Sequence, residues 1–179
     1  MKIISGLLLC LFATSFSYAD TPDCQKIKNS SKRLECFESA NKLETKRSSE
    51  KQNNALAEAK RNFPELQEAM IFEIDTCKMS ADAWLIMASV GEFSGLDKVK
   101  YCTEGLKDKY GFKYKELKLS LAHNKDVSNT LTEWFASFIA TLDSILPRGI
   151  ERDPTYKKRV RDNEVEFARK ASLVTASIY

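Results

Sequence analysis

Apolar residues recur at steps of three and four over the stretch 127–146, and this is the clearest helical pattern in the chain. The set comprises Val127, Leu131, Trp134, Phe135, Phe138, Ile139, Leu142, Ile145 and Leu146. Such spacing places all of these side chains on one broad face of a helix. Ser128 is a candidate N-cap, and Pro147 with Gly149 is typical of a helix end. The pattern predicts a core helix over 127–146.

The region before this helix has its own helical pattern. Asn62-Phe63-Pro64-Glu65 is typical of a helix start. Helical spacing then continues from Leu66 to about Val90. The end of this segment, 84–88, is apolar all round, so we expect it to be deeply buried, as a helix or, alternatively, as a strand.

Three further segments complete the pattern. The spacing from Leu96 to Tyr110 predicts a helix that ends at Gly111, a residue that favours a left-handed C-terminal stop. Residues 114–121 suit either a short helix or a strand. Asp153-Pro154 opens the last helix, which continues to Ile178. An all-α fold follows, with a bundle domain of about four to five helices over 63–179.

The N-terminus has the features of a secretory signal peptide over residues 1–19. Lys2 is followed by the apolar run Ile3–Phe16, and Ser17-Tyr18-Ala19 has small residues where a signal peptidase cleaves. The apolar run is about 14 residues long, too short for a spanning helix of about 20. We therefore expect cleavage after Ala19, a periplasmic or secreted protein, and no transmembrane segment in the mature chain.

Four cysteines would remain after cleavage: Cys24, Cys36, Cys77 and Cys102. An even number in an exported chain favours two disulfides, for which three pairings exist. We favour Cys24–Cys36 with Cys77–Cys102, since each pair joins neighbouring predicted helices. A zinc site is the alternative, but the chain has neither a Cys-x-x-Cys motif nor a histidine pair.

Residues 20–43 suggest two short helices joined by a disulfide, with Ser30 or Ser31 capping the second. Cys24-x-x-Ile27, five further positions and Arg33-Leu34-x-Cys36-Phe37 resemble a cysteine motif near the start of many proteobacterial periplasmic proteins, some of them linked to secretion systems. The resemblance implies an oxidising periplasm and a stapled helical hairpin, and it carries no activity. The polar stretch 44–62 that follows is either a linker or a solvated helix.

The charge balance does not specify a polyanionic partner. The chain has 28 Lys+Arg and 25 Asp+Glu, a formal net charge of +3, which becomes +2 when Lys2 is removed. Near-neutral charge and export together argue against nucleic acid as a partner. Asn29-Ser30-Ser31 matches a glycosylation sequon, which matters only in a eukaryotic secretory pathway.

Residue types that support catalysis are present but form no complete constellation. His123 is the only histidine, which excludes multi-histidine metal sites and leaves a Ser–His–Asp arrangement only with an acid such as Asp126. We interpret His123 as a polar turn residue. Glu35 with Glu38, and Glu73 with Asp75, are the carboxylate pairs that a cell-wall hydrolase would need. The glycine-rich and aromatic-rich substrate loops of such an enzyme are missing from the sequence, and we expect Glu73 on the solvated side of its helix.

A basic cluster in the last predicted helix is the candidate partner-binding site. It comprises Lys157, Lys158, Arg159 and Arg161, and it could contact an acidic protein or an anionic membrane surface. The alternative is a solvated helix face, neutralised by pairs such as Lys158–Asp162 and Glu166–Lys170. Trp134, Phe135 and Phe138 could line a ligand pocket, although aromatic residues at this spacing more often form a core.

These observations favour a binding function without a cofactor. We expect an exported periplasmic accessory protein of the cell envelope, of a chaperone-like, inhibitor-like or secretion-associated kind, whose partner is another envelope or secreted protein. The alternative is a secreted effector or a carboxylate-dependent cell-wall hydrolase.

Overall fold

The computed structural model describes residues 23–149 and 151–179, and in these ranges the chain is helical with no strand. A 3₁₀ turn covers Cys24–Lys26, and four α-helices follow: α1 (Ser30–Ser89), α2 (Leu96–Ser120), α3 (Lys125–Ile145) and α4 (Asp153–Ile178). The all-α prediction is confirmed, and the strand alternatives for 84–88 and 114–121 are wrong. The predicted signal peptide, residues 1–19, lies outside the described residues.

The described chain belongs to two compact units, one ending at Ser48 and the other spanning Ser49–Tyr179. In the first unit, the 3₁₀ turn and the start of α1 are joined by the disulfide Cys24–Cys36. The predicted hairpin therefore has a single 3₁₀ turn in place of its first helix. Asn29, not Ser30 or Ser31, caps α1, because its side-chain oxygen accepts from the backbone N–H of Lys32.

The cysteine motif has a structural explanation in this first unit. Arg33 Nε donates a hydrogen bond of 2.8 Å to the carbonyl oxygen of Ile27, the residue that ends the 3₁₀ turn. The disulfide joins Cys24 of the turn to Cys36 of α1, which lies about one helical turn after Arg33. The disulfide and the hydrogen bond from Arg33 to the backbone of Ile27 thus tie the entering chain to the helix twice.

In the second unit, α2, α3, α4 and the C-terminal part of α1 form an antiparallel four-helix bundle. In each pair of neighbouring helices, a residue later in one helix contacts a residue earlier in the other, which shows that the two run in opposite directions. The contacts are Glu73–Lys109 and Cys77–Cys102 for α1 and α2, Lys107–Asp143 and Tyr114–Phe135 for α2 and α3, Glu133–Lys170 and Thr141–Asn163 for α3 and α4, and Lys60–Tyr179 and Lys78–Glu164 for α1 and α4. Each helix therefore has two neighbours, and the favoured disulfide pairing is confirmed in both units.

The core is built around α3, as its apolar pattern predicts. Trp134 and Phe138 are fully buried. The Trp134 ring lies 4.9 Å from Phe63 of α1 and 5.9 Å from Phe167 of α4, between centroids. Trp134 and Phe138 fill the interior rather than line a pocket. The cap differs from the prediction, because Asn124, not Ser128, accepts from the N–H of Val127.

Pro64 lies inside α1 and does not begin a helix. A proline within a helix has no N–H to donate to the carbonyl oxygen four residues earlier, which here belongs to Lys60. The hydroxyl of Tyr179, at the end of the chain, donates to that carbonyl oxygen at 3.2 Å. Phe63, next to the proline, is buried in the core. Replacement of the missing donor and burial of Phe63 explain why the helix continues through Pro64. Residues 44–62 are therefore a solvated part of α1 and not a linker.

Gly111 also fails to end its helix, since α2 continues to Ser120. The residues around it are held by packing on α3. Tyr110 is buried with its ring 5.5 Å from Phe138, and Tyr114 stacks on Phe135 at 4.3 Å. Tertiary contacts on both sides of Gly111 thus outweigh its local preference for a stop.

Candidate partner-binding site

Three members of the basic cluster lie on the exposed side of α4. Lys157 pairs with Asp153 at 2.8 Å and Lys158 with Asp162 at 2.6 Å, both within the helix. The predicted Lys158–Asp162 pair is confirmed, and Glu166 lies 4.0 Å from Lys170 as expected. Arg161 is exposed. The role of these charges in partner binding stays a prediction.

Arg159 differs from the other three, because it is a structural residue and not a surface charge. Its side chain is 15% exposed and pairs with Glu151, which is 10% exposed. The same guanidinium donates to the carbonyl oxygens of Ser144 and Leu146, at the C-terminal end of α3. Those carbonyls have no partner within their own helix. Arg159 therefore joins the start of α4 to the end of α3.

The buried ion pair changes the titration of its acid. The hydrogen bond from the Arg159 guanidinium holds the pKa of Glu151 below its ordinary value. A lowered pKa in the folded state stabilises the fold above the ordinary carboxyl pKa, and this stabilisation is lost as the pH falls through the lowered value. This interaction leaves Arg159 unavailable to a partner.

The residues considered for catalysis belong to both units. His123 lies exposed in the turn before α3, while Glu35 and Glu38 are exposed on the first unit. Glu73 is 27% exposed and pairs with Lys109 of α2 at 2.5 Å, so it belongs to the α1–α2 contact rather than to a solvated face. Within the described ranges, no group of three or more His, Cys, Asp or Glu side chains is arranged to hold a metal ion.

Tyr110 is a buried phenol that lies beside Glu73. Burial first, and then the negative charge of Glu73, raise the pKa of Tyr110 to about 12. Its hydroxyl has no hydrogen-bond partner in the described parts of the chain. The phenol stays neutral in the folded protein at pH values where it ionises in the unfolded chain. Its contribution to the free energy of unfolding is therefore present below about pH 10 and is lost as the pH rises towards 12.

We expect Tyr110→Phe to leave stability nearly unchanged at neutral pH and to weaken its decline at alkaline pH. Urea unfolding at about pH 7, 9 and 11 measures both quantities, and comparison with the wild type removes the contribution of lysines and of Tyr156, whose pKa burial also raises. A variant whose stability falls as steeply with pH as that of the wild type would contradict this account.

An apolar stripe on α1 is the feature that the bundle leaves uncovered. We call Phe72, Met79, Ala83 and Ile86 of α1, together with Val90 in the turn that directly follows this helix, the outer stripe. At 100° per residue the four helical members share one face of α1. Four of the five residues are strongly exposed: Phe72 by 73%, Met79 by 65%, Ile86 by 67% and Val90 by 76%. Ala83 is exposed as well.

The opposite face of the same helix belongs to the core. Met70, Ile74, Cys77, Ala81 and Trp84 are buried. The prediction that 84–88 is deeply buried is therefore only half right: Trp84 is 8% exposed, whereas Ile86 is 67% and Met87 is 41% exposed. The bundle covers one side of this helix, and the other side faces solvent.

The two edges of the outer stripe differ in charge. Asp75 and Asp82 lie along the edge that faces α4, and the Asp75 side chain is 58% exposed. Ser80 and Met87 lie along the edge that faces α2. An apolar centre with one acidic edge is an arrangement suited to a protein partner.

The chain matches no known protein family, no curated protein and no solved structure. Among the described residues, no helix is long and apolar enough to cross a membrane. The site is thus described by its own geometry alone.

Proposed function

We propose that this chain is an exported binding protein of the bacterial cell envelope that captures another protein through the outer stripe of α1. The carrying observation is the exposure of Phe72, Met79 and Ile86 on one face of a helix whose other face is core, with the exposed Val90 directly after the helix. Apolar residues scattered singly over a surface are ordinary, whereas a contiguous apolar patch is typical of an interaction site. An accessory factor of chaperone-like, inhibitor-like or secretion-associated kind fits this feature.

The compartment is supported by the cysteines. Both disulfides, Cys24–Cys36 and Cys77–Cys102, are formed, and disulfides persist in oxidising compartments such as the periplasm. The signal peptide predicted over 1–19 and the motif at 24–37 point the same way. The intact mass of the exported protein tests this assignment: it should begin at Asp20 and lack the hydrogens of both cysteine pairs, and retention of Met1 would contradict it.

The carboxylate-dependent hydrolase is the less favoured function. Glu35 and Glu38 are exposed on the first unit, and Glu73 is engaged by Lys109. A general acid of this class instead lies inside a substrate cleft. Loss of cell-wall turnover on Glu35→Gln, Glu38→Gln or Glu73→Gln would contradict the binding function.

The stripe itself is tested by a double variant, Met79→Glu with Ile86→Glu. We expect it to retain less than about one tenth of the partner that the wild-type protein captures from envelope extract, because each charge would have to be buried at the interface. The melting temperature should change little, because a substitution at an exposed position usually alters the free energy of unfolding by no more than about 0.5 kcal/mol.

The matched control is Phe112→Glu with Leu119→Glu on α2, where both side chains are also strongly exposed, by 68% and 76%. This control should capture the partner as the wild type does. Undiminished capture by the folded stripe variant, or equal loss in the control, would contradict the assignment of the stripe.

A further inference from the structure

The outer stripe has the spacing of a helix-packing surface. Met79, Ala83, Ile86 and Val90 follow one another at steps of four, three and four, and Phe72 lies one heptad before Met79. Alternation of threes and fours is the pattern that seats a second helix alongside the first. From Phe72 to Ile86 the helical part of the stripe is about 21 Å long at 1.5 Å per residue, so a helix of about four turns would cover it.

The acidic edge adds a charge requirement. Lys78, the nearest cation on α1, lies 2.5 Å from Glu164 and 3.5 Å from Asp75, so one lysine is shared between two carboxylates. Lys157 approaches Asp82 from α4 but is itself paired with Asp153. Lys78 and Lys157 are thus each shared with a second carboxylate, and a partner with Lys or Arg along this edge would complement Asp75 and Asp82.

We propose that the occupant of the outer stripe is an amphipathic α-helix of a partner protein, with apolar residues at alternating steps of three and four and basic residues along the edge that meets Asp75 and Asp82. This inference rests on the function proposed above and adds the chemistry of the partner. Helix-in-groove recognition of this kind takes its affinity from the apolar anchors and its orientation from the flanking charges.

Charge also argues against the two other occupants. An antiparallel pairing of two copies centred near Met79 would bring Asp75 of one copy opposite Asp82 of the other, and like charges so placed repel. An anionic membrane surface would be repelled by the same two carboxylates.

Two designed peptides test the inference directly. Both are helical, about 20 residues long, with leucine at the stripe-facing positions, and they differ only in lysine or glutamate along the edge. Fluorescence anisotropy with the full chain should give about tenfold tighter binding of the lysine peptide. Asp75→Lys with Asp82→Lys should invert this preference. Asp97→Lys with Asp108→Lys on α2, the same change in net charge, should retain it.

Three results would overturn the inference. The first is equal binding of both peptides by the wild type, or a preference that survives the Asp75→Lys, Asp82→Lys change. The second is dimerisation in sedimentation equilibrium that Met79→Glu abolishes, which would assign the stripe to a second copy. The third is flotation with phosphatidylglycerol vesicles that Met79→Glu abolishes.

The proposed function can be judged separately from these results. If both peptides bind equally while the Met79→Glu, Ile86→Glu variant still loses the envelope partner, then the partner chemistry is wrong and the binding function stands. If that variant captures the partner as the wild type does, the binding function itself is contradicted.

Discussion

Replacing Phe138 by alanine is expected to lower the free energy of unfolding by about 3–5 kcal/mol, because the substitution leaves a cavity at the centre of the bundle. Phe138 is fully buried. Its ring lies 5.5 Å from Tyr110 of α2 and 5.8 Å from Phe167 of α4, between centroids. Neighbouring helices fixed on both sides limit how far the site can collapse. Urea unfolding followed by circular dichroism gives the value.

Phe112→Ala is the matched control for this measurement. Phe112 lies on α2 with 68% of its surface exposed, so its truncation should cost no more than about 0.5 kcal/mol. Equal losses in the two variants would contradict the placement of the core around α3.

Reversing the charge of Arg159 is expected to lower the free energy of unfolding by about as much as Phe138→Ala does. Arg159→Glu removes the partner of Glu151, whose side chain is 10% exposed, and places a second carboxylate beside it. Removal of one partner of a buried pair typically costs about 3–5 kcal/mol. The carbonyl oxygens of Ser144 and Leu146 lose their donors at the same time. Thermal melting at neutral pH measures the effect.

Arg161→Glu provides the comparison, because Arg161 lies on the same helix two residues later and is exposed. Its reversal should change the free energy of unfolding by no more than about 0.5 kcal/mol. If Arg159→Glu melts at the same temperature as Arg161→Glu, the ion pair does not hold α4 to the end of α3.

The periodicity of the sequence was sufficient for the fold class and for the central helix. Steps of three and four over 127–146 correctly indicated which face of α3 is buried, since an amphipathic helix has few other ways to remove its apolar side from water. The cysteine pairing also followed from the order of the elements, because each pair joins segments that are adjacent along the chain.

Features that depend on distant residues could not be predicted from local pattern. Pro64 looked like a helix start because the donor that replaces its missing N–H comes from Tyr179. Gly111 looked like a stop because the packing of Tyr110 and Tyr114 on α3 is not visible in the local sequence. Arg159 looked like its basic neighbours, since its burial depends on Glu151 and on the end of α3.

The candidate site was visible in the sequence only as an excess of apolar residues. The stretch 84–88 is apolar all round, which predicted burial on every side. In the bundle one side of α1 packs on the core, and within this chain Ile86 and Val90 stay exposed. The difference between the predicted and the observed burial is what identifies the outer stripe, and neither periodicity nor composition alone could separate the two faces.

Photo-crosslinking in cells that export the protein tests the central claim most directly. A photo-reactive phenylalanine analogue would replace Met79 or Ile86 in turn, with the same analogue at Phe112 as the control on an exposed position of α2. We expect the first two positions to give an adduct with one other envelope protein, and position 112 to give none. Absence of that adduct at 79 and 86, its equal formation at 112, or crosslinking only to a second copy of this chain would contradict partner capture by the outer stripe.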